Sequence, residues 1–182
     1  FVLYIEEGKN GWDDSEYKKI DTKVGSLASP NGIGHIVGVD KNLDGTVDYV
    51  YGGDLQGNMW KFLLNSDDSA QWGVAQWGTQ AGTTSNLTTT GTPLYTAKGG
   101  TTGSPSTRSL AQPITAAPTV RSNERTKKVT EAGVQKTVSV GGLMVAFGTG
   151  RNVSMTDPDN NNVQSIYSVL DNTRYKLVGT NK

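Results

Sequence analysis

Short apolar runs, mostly β-branched or aromatic, recur along the chain between turns rich in Gly, Asn, Asp, Ser and Thr. Runs of this length and makeup predict strands, not helices. The first strands are expected at residues 2–6 and 17–20. A set of four follows: Ile36-Val37-Gly38-Val39, Tyr49-Val50-Tyr51-Gly52-Gly53, Asn58-Met59-Trp60-Lys61-Phe62 and Pro93-Leu94-Tyr95-Thr96-Ala97. A second set runs Ile114-Thr115-Ala116-Ala117-Pro118, Met144-Val145-Ala146-Phe147-Gly148, Ser165-Ile166-Tyr167-Ser168-Val169 and Tyr175-Lys176-Leu177-Val178. In each set the second strand ends in glycine and the third carries an aromatic residue. Repeated four-strand units predict an all-β protein built as β-propeller blades. Residues 1–25 would end one blade, 33–97 form a complete one and 112–180 the next. The chain would then cover about two and a half four-stranded blades, a piece of a longer protein. An antiparallel sandwich is the competing arrangement, with the two sets as its two faces.

The connections carry their own signals. Residues 98–111, within a Thr/Gly/Ser-rich stretch, cannot bury apolar area and are expected to form a flexible linker. Residues 121–137 are polar and charged around Ala132-Gly133, which predicts a long protruding hairpin. Its cations Arg125, Lys127 and Lys128 are expected to form a solvated face.

Composition removes several functions. Lys plus Arg and Asp plus Glu both total 17, so net charge is zero and no basic excess is available to neutralise nucleic-acid phosphates. Without cysteine there is no disulfide, thiolate nucleophile or thiolate metal site. No apolar run approaches the ~20 residues that a membrane-spanning helix needs.

The strongest chemical signal is Asp40-Lys41-Asn42-Leu43-Asp44-Gly45-Thr46-Val47-Asp48. Oxygen-bearing side chains alternate at Asp40, Asn42 and Asp44, Gly45 allows a sharp turn, Thr46 can offer its carbonyl, and Asp48 closes the loop. Calcium takes six to eight hard oxygen ligands, and a tight loop with this alternation can aim them at one point. The opening matches an EF-hand loop, but the twelfth position is Tyr51, which supplies no carboxylate. The flanks predict strands, so the loop is expected to join a β-hairpin. Asp, Asn and Gly also favour turns without any metal. Three aspartates within nine residues, however, would repel one another without a cation.

Other candidates are weaker. His35, the single histidine, has no second nitrogen or sulfur partner for a transition metal and is expected to pack. Gly32-Ile33-Gly34 reads as a turn, since no helix pattern follows it. Asp157-Pro158-Asp159-Asn160-Asn161 alternates oxygens but lacks the glycine and the closing acid, and reads as a turn, with weak cation binding as the alternative. Asn86-Leu87-Thr88 matches a glycosylation acceptor, a common chance occurrence. Trp60 is expected in the core.

Several motifs in fixed order carry a family resemblance. They are Lys19-Ile20-Asp21-Thr22, Pro30-Asn31-Gly32, the 40–48 loop, the run from Tyr51 through Asp54-Leu55-Gln56-Gly57-Asn58-Met59-Trp60 to Phe62, Gln112-Pro113-Ile114-Thr115-Ala116-Ala117-Pro118, Phe147-Gly148-Thr149-Gly150-Arg151 and Gln164-Ser165-Ile166-Tyr167. Together they resemble the C-terminal β-propeller domain of the PilY/PilC family of type IV pilus tip-associated adhesins. The resemblance implies a quinoprotein-like, modified seven-bladed propeller exported by Gram-negative bacteria. Its expected location is the pilus tip, cell surface, outer membrane or periplasm. The implied role is non-enzymatic regulation of pilus extension and retraction, twitching motility and host-cell adhesion. Pilins at the pilus tip and the host-cell surface are the implied partners. The family's calcium loop maps onto Asp40, Asn42, Asp44, Thr46 and Asp48. An Arg-Gly-Asp triplet found in some relatives is missing here, so integrin binding is not implied. Two other readings share the strand pattern. One is a quinone-dependent dehydrogenase propeller, although many such enzymes place adjacent cysteines over the cofactor and this chain has none. The other is a periplasmic scaffold propeller without calcium.

Overall fold

The computed structural model describes residues 1–6, 8, 12–13, 15–75, 92–99, 110–159 and 161–172. Among these, helix is limited to the 3-10 turns Ser69–Gln71 and Asp157–Asp159; the regular structure is otherwise β. Strands β1 (Val2–Leu3) and β2 (Tyr17–Lys18) form a short antiparallel pair, shorter than the runs that predicted them.

The first main sheet contains β3 (Ile33–Val39), β4 (Tyr49–Asp54), β5 (Asn58–Leu63), β6 (Gly73–Val74) and β7 (Tyr95–Thr96). Its order is β3-β4-β5, and β5's outer edge is shared by two short strands. Phe62 and Leu63 pair with β6, whereas Asn58 and Met59 pair with β7. The fourth place in the sheet, expected to be filled by residues 93–97 alone, is thus split between two segments. A bulge between Ile33 and Ile36 breaks the β3–β4 register.

Strands β8 (Lys98–Gly99) and β9 (Leu110–Ala111) pair with each other. The expected flexible linker is therefore anchored at both ends; residues 100–109 lie outside the described residues. Strand β10 (Thr119–Ser122) leads into β11 (Thr126–Glu131) and β12 (Val134–Ser139), and then come β13 (Leu143–Gly148) and β14 (Ile166–Asp171). The second main sheet has the order β10-β13-β14, and β11–β12 form a separate ribbon with the expected turn at Ala132-Gly133. Residues 114–118 do not form the predicted strand. Pro113 and Pro118 have no N–H to give a ladder. Ile114 makes only an isolated parallel bridge to Gly150, and the strand begins at Thr119. The strand expected at 175–178 lies outside the described residues, as does the Asn86 acceptor.

The two main sheets share one core of Tyr49, Tyr51, Met59, Ala97, Ile114, Leu143, Val145 and Phe147. Tyr95, Phe147 and Tyr167, from three different strands, meet with ring centroids 5.0–6.2 Å apart. Gly53 shows why the second strand of the first set ends in glycine. A Cβ there would stand 2.2 Å from Ile114 Cγ2, so only a bare backbone admits the 112–114 segment.

The β4–β5 corner is built around Asp54, which is fully buried. Its carboxylate accepts hydrogen bonds from Gln56 N–H (2.9 Å), Asn58 N–H (2.8 Å), Asn58 Nδ2 (2.9 Å), Trp60 Nε1 (2.8 Å) and Asn31 Nδ2 (2.8 Å). Trp60 is in the core, as predicted, and its indole N–H ends on this carboxylate. Gly57 completes the turn at φ +83°. Each buried donor left unsatisfied costs about 1–3 kcal/mol, so Asp54→Ala is expected to lower the unfolding free energy by about 3 kcal/mol or more, read by denaturant unfolding.

Candidate metal loop and the buried junction behind it

Residues 40–48 connect β3 to β4, the hairpin position expected from the flanks. The exit is fixed by the sheet: Asp48 N–H donates to Val39 O (2.9 Å), and Asp48 O accepts from Leu64 N–H (2.8 Å). Residues 41–47 are exposed. Leu43 (φ +62°) and Gly45 (φ +93°) take left-handed conformations, which wind the loop inward.

All five predicted ligand residues are gathered in this loop. Asp40 accepts from Leu43 N–H (2.6 Å), Asp44 N–H (3.3 Å) and Gly45 N–H (2.8 Å). Asp48 Oδ2 accepts from Lys41 N–H (2.7 Å) and Asn42 N–H (3.3 Å). Asn42 Nδ2 donates to Asp44 Oδ2 (2.7 Å), and Asn42 Oδ1 accepts from Asp44 N–H (3.1 Å). Asp44 Oδ1 takes the Thr46 hydroxyl (2.5 Å) and N–H (2.8 Å), and these bonds hold the Asp44 carboxyl below its ordinary range. The carboxylates are turned onto the loop's own N–H groups. Among the described residues no three acidic or imidazole side chains converge tightly enough to hold an ion. The donor chemistry itself suits calcium: three carboxylates, one amide oxygen and the Thr46 carbonyl are all hard oxygens.

Behind the loop lies a second, buried charge system. Lys61 on β5 and Asp171 on β14 are 3% and 1% exposed, and Lys61 Nζ stands 2.7 Å from Asp171 Oδ2. Tyr51 OH donates to the same oxygen at 2.5 Å. Asp171 Oδ1 is buried and has no hydrogen-bond partner among the described residues. Lys61 Nζ also lies 3.9 Å from the centroid of the Tyr49 ring, and Lys41, within the loop, lies 5.7 Å from the same centroid. Burial pulls the Lys61 ammonium below its ordinary range, while Asp171 pulls it back up. Burial, then the charges of Asp48 and Asp171, push the Tyr49 hydroxyl up. Tyr49 thus feels the loop and the second sheet together.

With this geometry in view, comparison with known proteins decides the family. The model of the PilY1 beta-propeller domain matches residues 2–181. The chain belongs to the PilY1 β-propeller family. It is 32% identical over 155 residues to the type IV pilus biogenesis factor PilY1 of Pseudomonas aeruginosa, a match covering 81% of this chain and 11% of that protein. A PilY1 homolog of Xylella fastidiosa is 29% identical over 152 residues, 82% of this chain and 8% of that protein. The chain therefore spans only 8–11% of the length of these relatives. The crystal structure of the P. aeruginosa PilY1 C-terminal domain is similar with a TM-score of 0.54 at 28% identity, covering 81% of this chain and 27% of that one. The all-β propeller class expected from the sequence holds, and the sandwich is set aside.

One of the other candidate residues of this PilY1-family chain departs from expectation. His35 is exposed rather than packed; its N–H donates to Thr115 O (3.2 Å), and its Nδ1 lies 3.1 Å from the same oxygen. Of the expected 157–161 turn, Asp157–Asp159 form a 3-10 turn that places Asp157 as an internal anchor. Arg151 Nε and Nη2 reach Asp157 Oδ1 at 2.9 and 2.6 Å, and Val153 and Ser154 N–H donate to Oδ2. Its oxygens are already engaged, which leaves little for a cation. Both the Lys61–Asp171 junction and the Asp157 anchor were missed from sequence, since an isolated Lys or Asp in a strand or loop carries no mark of burial.

Two predictions follow from these pairs. Asp171→Asn strips the counter-charge from a buried ammonium and is expected to cost roughly 3–5 kcal/mol, while Lys61→Met with Asp171→Leu recovers most of it; denaturant midpoints decide. For Asp157, the Val153 N–H and the Arg151 guanidinium hold the folded carboxyl below its ordinary 3.8. Its stabilisation is then complete above that value and is lost as pH falls through the lower folded value. Thermal melts between about pH 5 and pH 2 should show a shallower acid loss for Asp157→Asn than for the parent.

Proposed function

We propose that this chain is a calcium-binding portion of a propeller in a type IV pilus biogenesis factor and tip adhesin. In this reading the protein regulates pilus extension and retraction, twitching motility and host-cell adhesion, and has no catalytic role. The observation that carries the calcium part is the 40–48 loop, whose oxygen donors alternate around Gly45 on a hairpin anchored at Asp48. The pilus part rests on relatives named as type IV pilus biogenesis factors. Asp40, Asn42, Asp44, Asp48 and the Thr46 carbonyl would hold the ion. The ion would supply charge: its two positive charges offset two of the three negative charges on carboxylates that otherwise repel, and so order the loop. Extracellular calcium modules bind at about 0.1–1 mM, a range suited to an exported protein at a pilus tip, cell surface, outer membrane or periplasm. Pilins at the tip and the host-cell surface are the proposed partners.

Calorimetric titration of the full-length protein tests the site. Asp44→Ala and Asp48→Ala should each weaken calcium binding by at least about tenfold, the smallest effect that even outer partners of a metal usually show. Magnesium should substitute poorly, since it demands a smaller octahedron and keeps its waters. Asp44→Ala should then alter surface piliation or twitching motility in retraction-competent and retraction-deficient cells. Parental piliation and motility in both, with calcium binding gone, would remove the regulatory role.

A further inference from the structure

The loop and the second sheet are joined by an unbroken set of contacts. Asp48 holds the Lys41 N–H at 2.7 Å, and Lys41 Nζ lies over the Tyr49 ring. Tyr49 follows Asp48 directly, starts β4 and is buried. Lys61 Nζ lies over the same ring at 3.9 Å and ends on Asp171 of β14, 110 residues away. Tyr51, two residues along β4 from Tyr49, grips the same Asp171 oxygen. We infer that Tyr49 and Lys61 form a joint that transmits the state of loop 40–48 to the docking of β14 against the first sheet.

The physical basis is that each link has little freedom except at the loop. Asp48's backbone is bonded to Val39 and Leu64, so its side chain, not its Cα, responds to what the carboxylate engages. Loop 40–48 carries three carboxylates and one lysine. Three carboxylates against one lysine give the loop a net charge of −2, which a dication brings to zero; the carboxylates then hold the Lys41 ammonium less, and it leans more on the ring that also serves Lys61. Two cations cannot share one ring without competing. The cost at Lys61 falls on its bond to Asp171, where one carboxylate oxygen already lacks a partner among the described residues. Buried ion pairs are weak sources of stability but strongly directional, which suits a joint better than a rivet.

This inference rests on the calcium reading of the loop, and the test separates the two. Hydrogen–deuterium exchange is followed across residues 166–171 of the full-length protein, with and without calcium, beside calorimetry on the same samples. Calcium should change exchange in 166–171 by about fivefold or more, the lower end of ordinary coupling between sites. Tyr49→Leu should still bind calcium in the calorimeter while losing that change, and Tyr49→Phe, which keeps a ring, should retain it. Lys61→Met with Asp171→Leu removes the joint without stranding a charge, and should also bind calcium with no transmitted effect. A general stabilisation by binding would survive all three changes, so persistence of the effect in Tyr49→Leu or in the double variant overturns the joint. Calcium binding with unchanged exchange at 166–171 in the parent protein overturns the joint and leaves the calcium reading standing. Absence of calcium binding in the parent overturns both.

Discussion

A carboxylate sealed from water has to be surrounded by donors, and the surroundings of Asp54 determine how the first sheet closes. Its oxygens collect the turn N–H groups of Gln56 and Asn58, the Asn58 amide, the Trp60 indole and the Asn31 amide from the approach to β3. Its backbone carbonyl accepts from Ile114 N–H (2.9 Å) and Gly57 N–H (3.2 Å). One residue thus ties together the β4–β5 corner, the chain entering β3 and the segment that carries the chain into the second sheet. The close passage of Ile114 over Gly53 is possible because that segment is drawn in at the same corner. Both Asp54 oxygens are satisfied, and Asn31 Oδ1 is the buried oxygen of this network that lacks a partner among the described residues.

Asp171 uses the same chemistry across a longer distance. Asp54 gathers donors that are mostly its own neighbours in sequence, whereas Asp171 gathers Tyr51 and Lys61 from another sheet. The first arrangement makes a corner rigid, and the second makes two sheets dependent on each other. The 40–48 loop sits at the far end of the β4 and β5 strands from the Asp54 corner. The end of the sheet that could answer to an ion is therefore the one held by a charge pair rather than by the Asp54 carboxylate and its five donors.

Much of this could be read in the chain. The strands at 33–39, 49–54, 58–63 and 143–148 follow from their β-branched and aromatic makeup, with ends within a few residues. The hairpin position of the loop and the Ala132-Gly133 ribbon turn follow from turn chemistry. What escaped depends on tertiary contacts. Gly73–Val74 is too short to signal a strand, and becomes one only because β5 has an edge left to pair. Residues 114–118 look apolar enough for a strand, but their prolines and the passage over Gly53 turn them into a crossing. Lys61 reads as an exposed alternate position in Asn58-Met59-Trp60-Lys61-Phe62, yet both faces of β5 are covered, so it lies inside with a partner no local pattern names. The loop residues proposed as ligands could be singled out because their spacing is local.

The β11–β12 ribbon stands apart from all of these dependencies. Its base is closed by Asn123 N–H to Gly142 O and Val140 N–H to Arg125 O, and β10 and β13 pair directly below it. None of its side chains belongs to the core, and at most they are half-buried. Its length is consequently a free parameter of the fold. Residue pairs can be added or removed at the tip, or a foreign segment spliced into Ala132-Gly133, with the ladder below still shut.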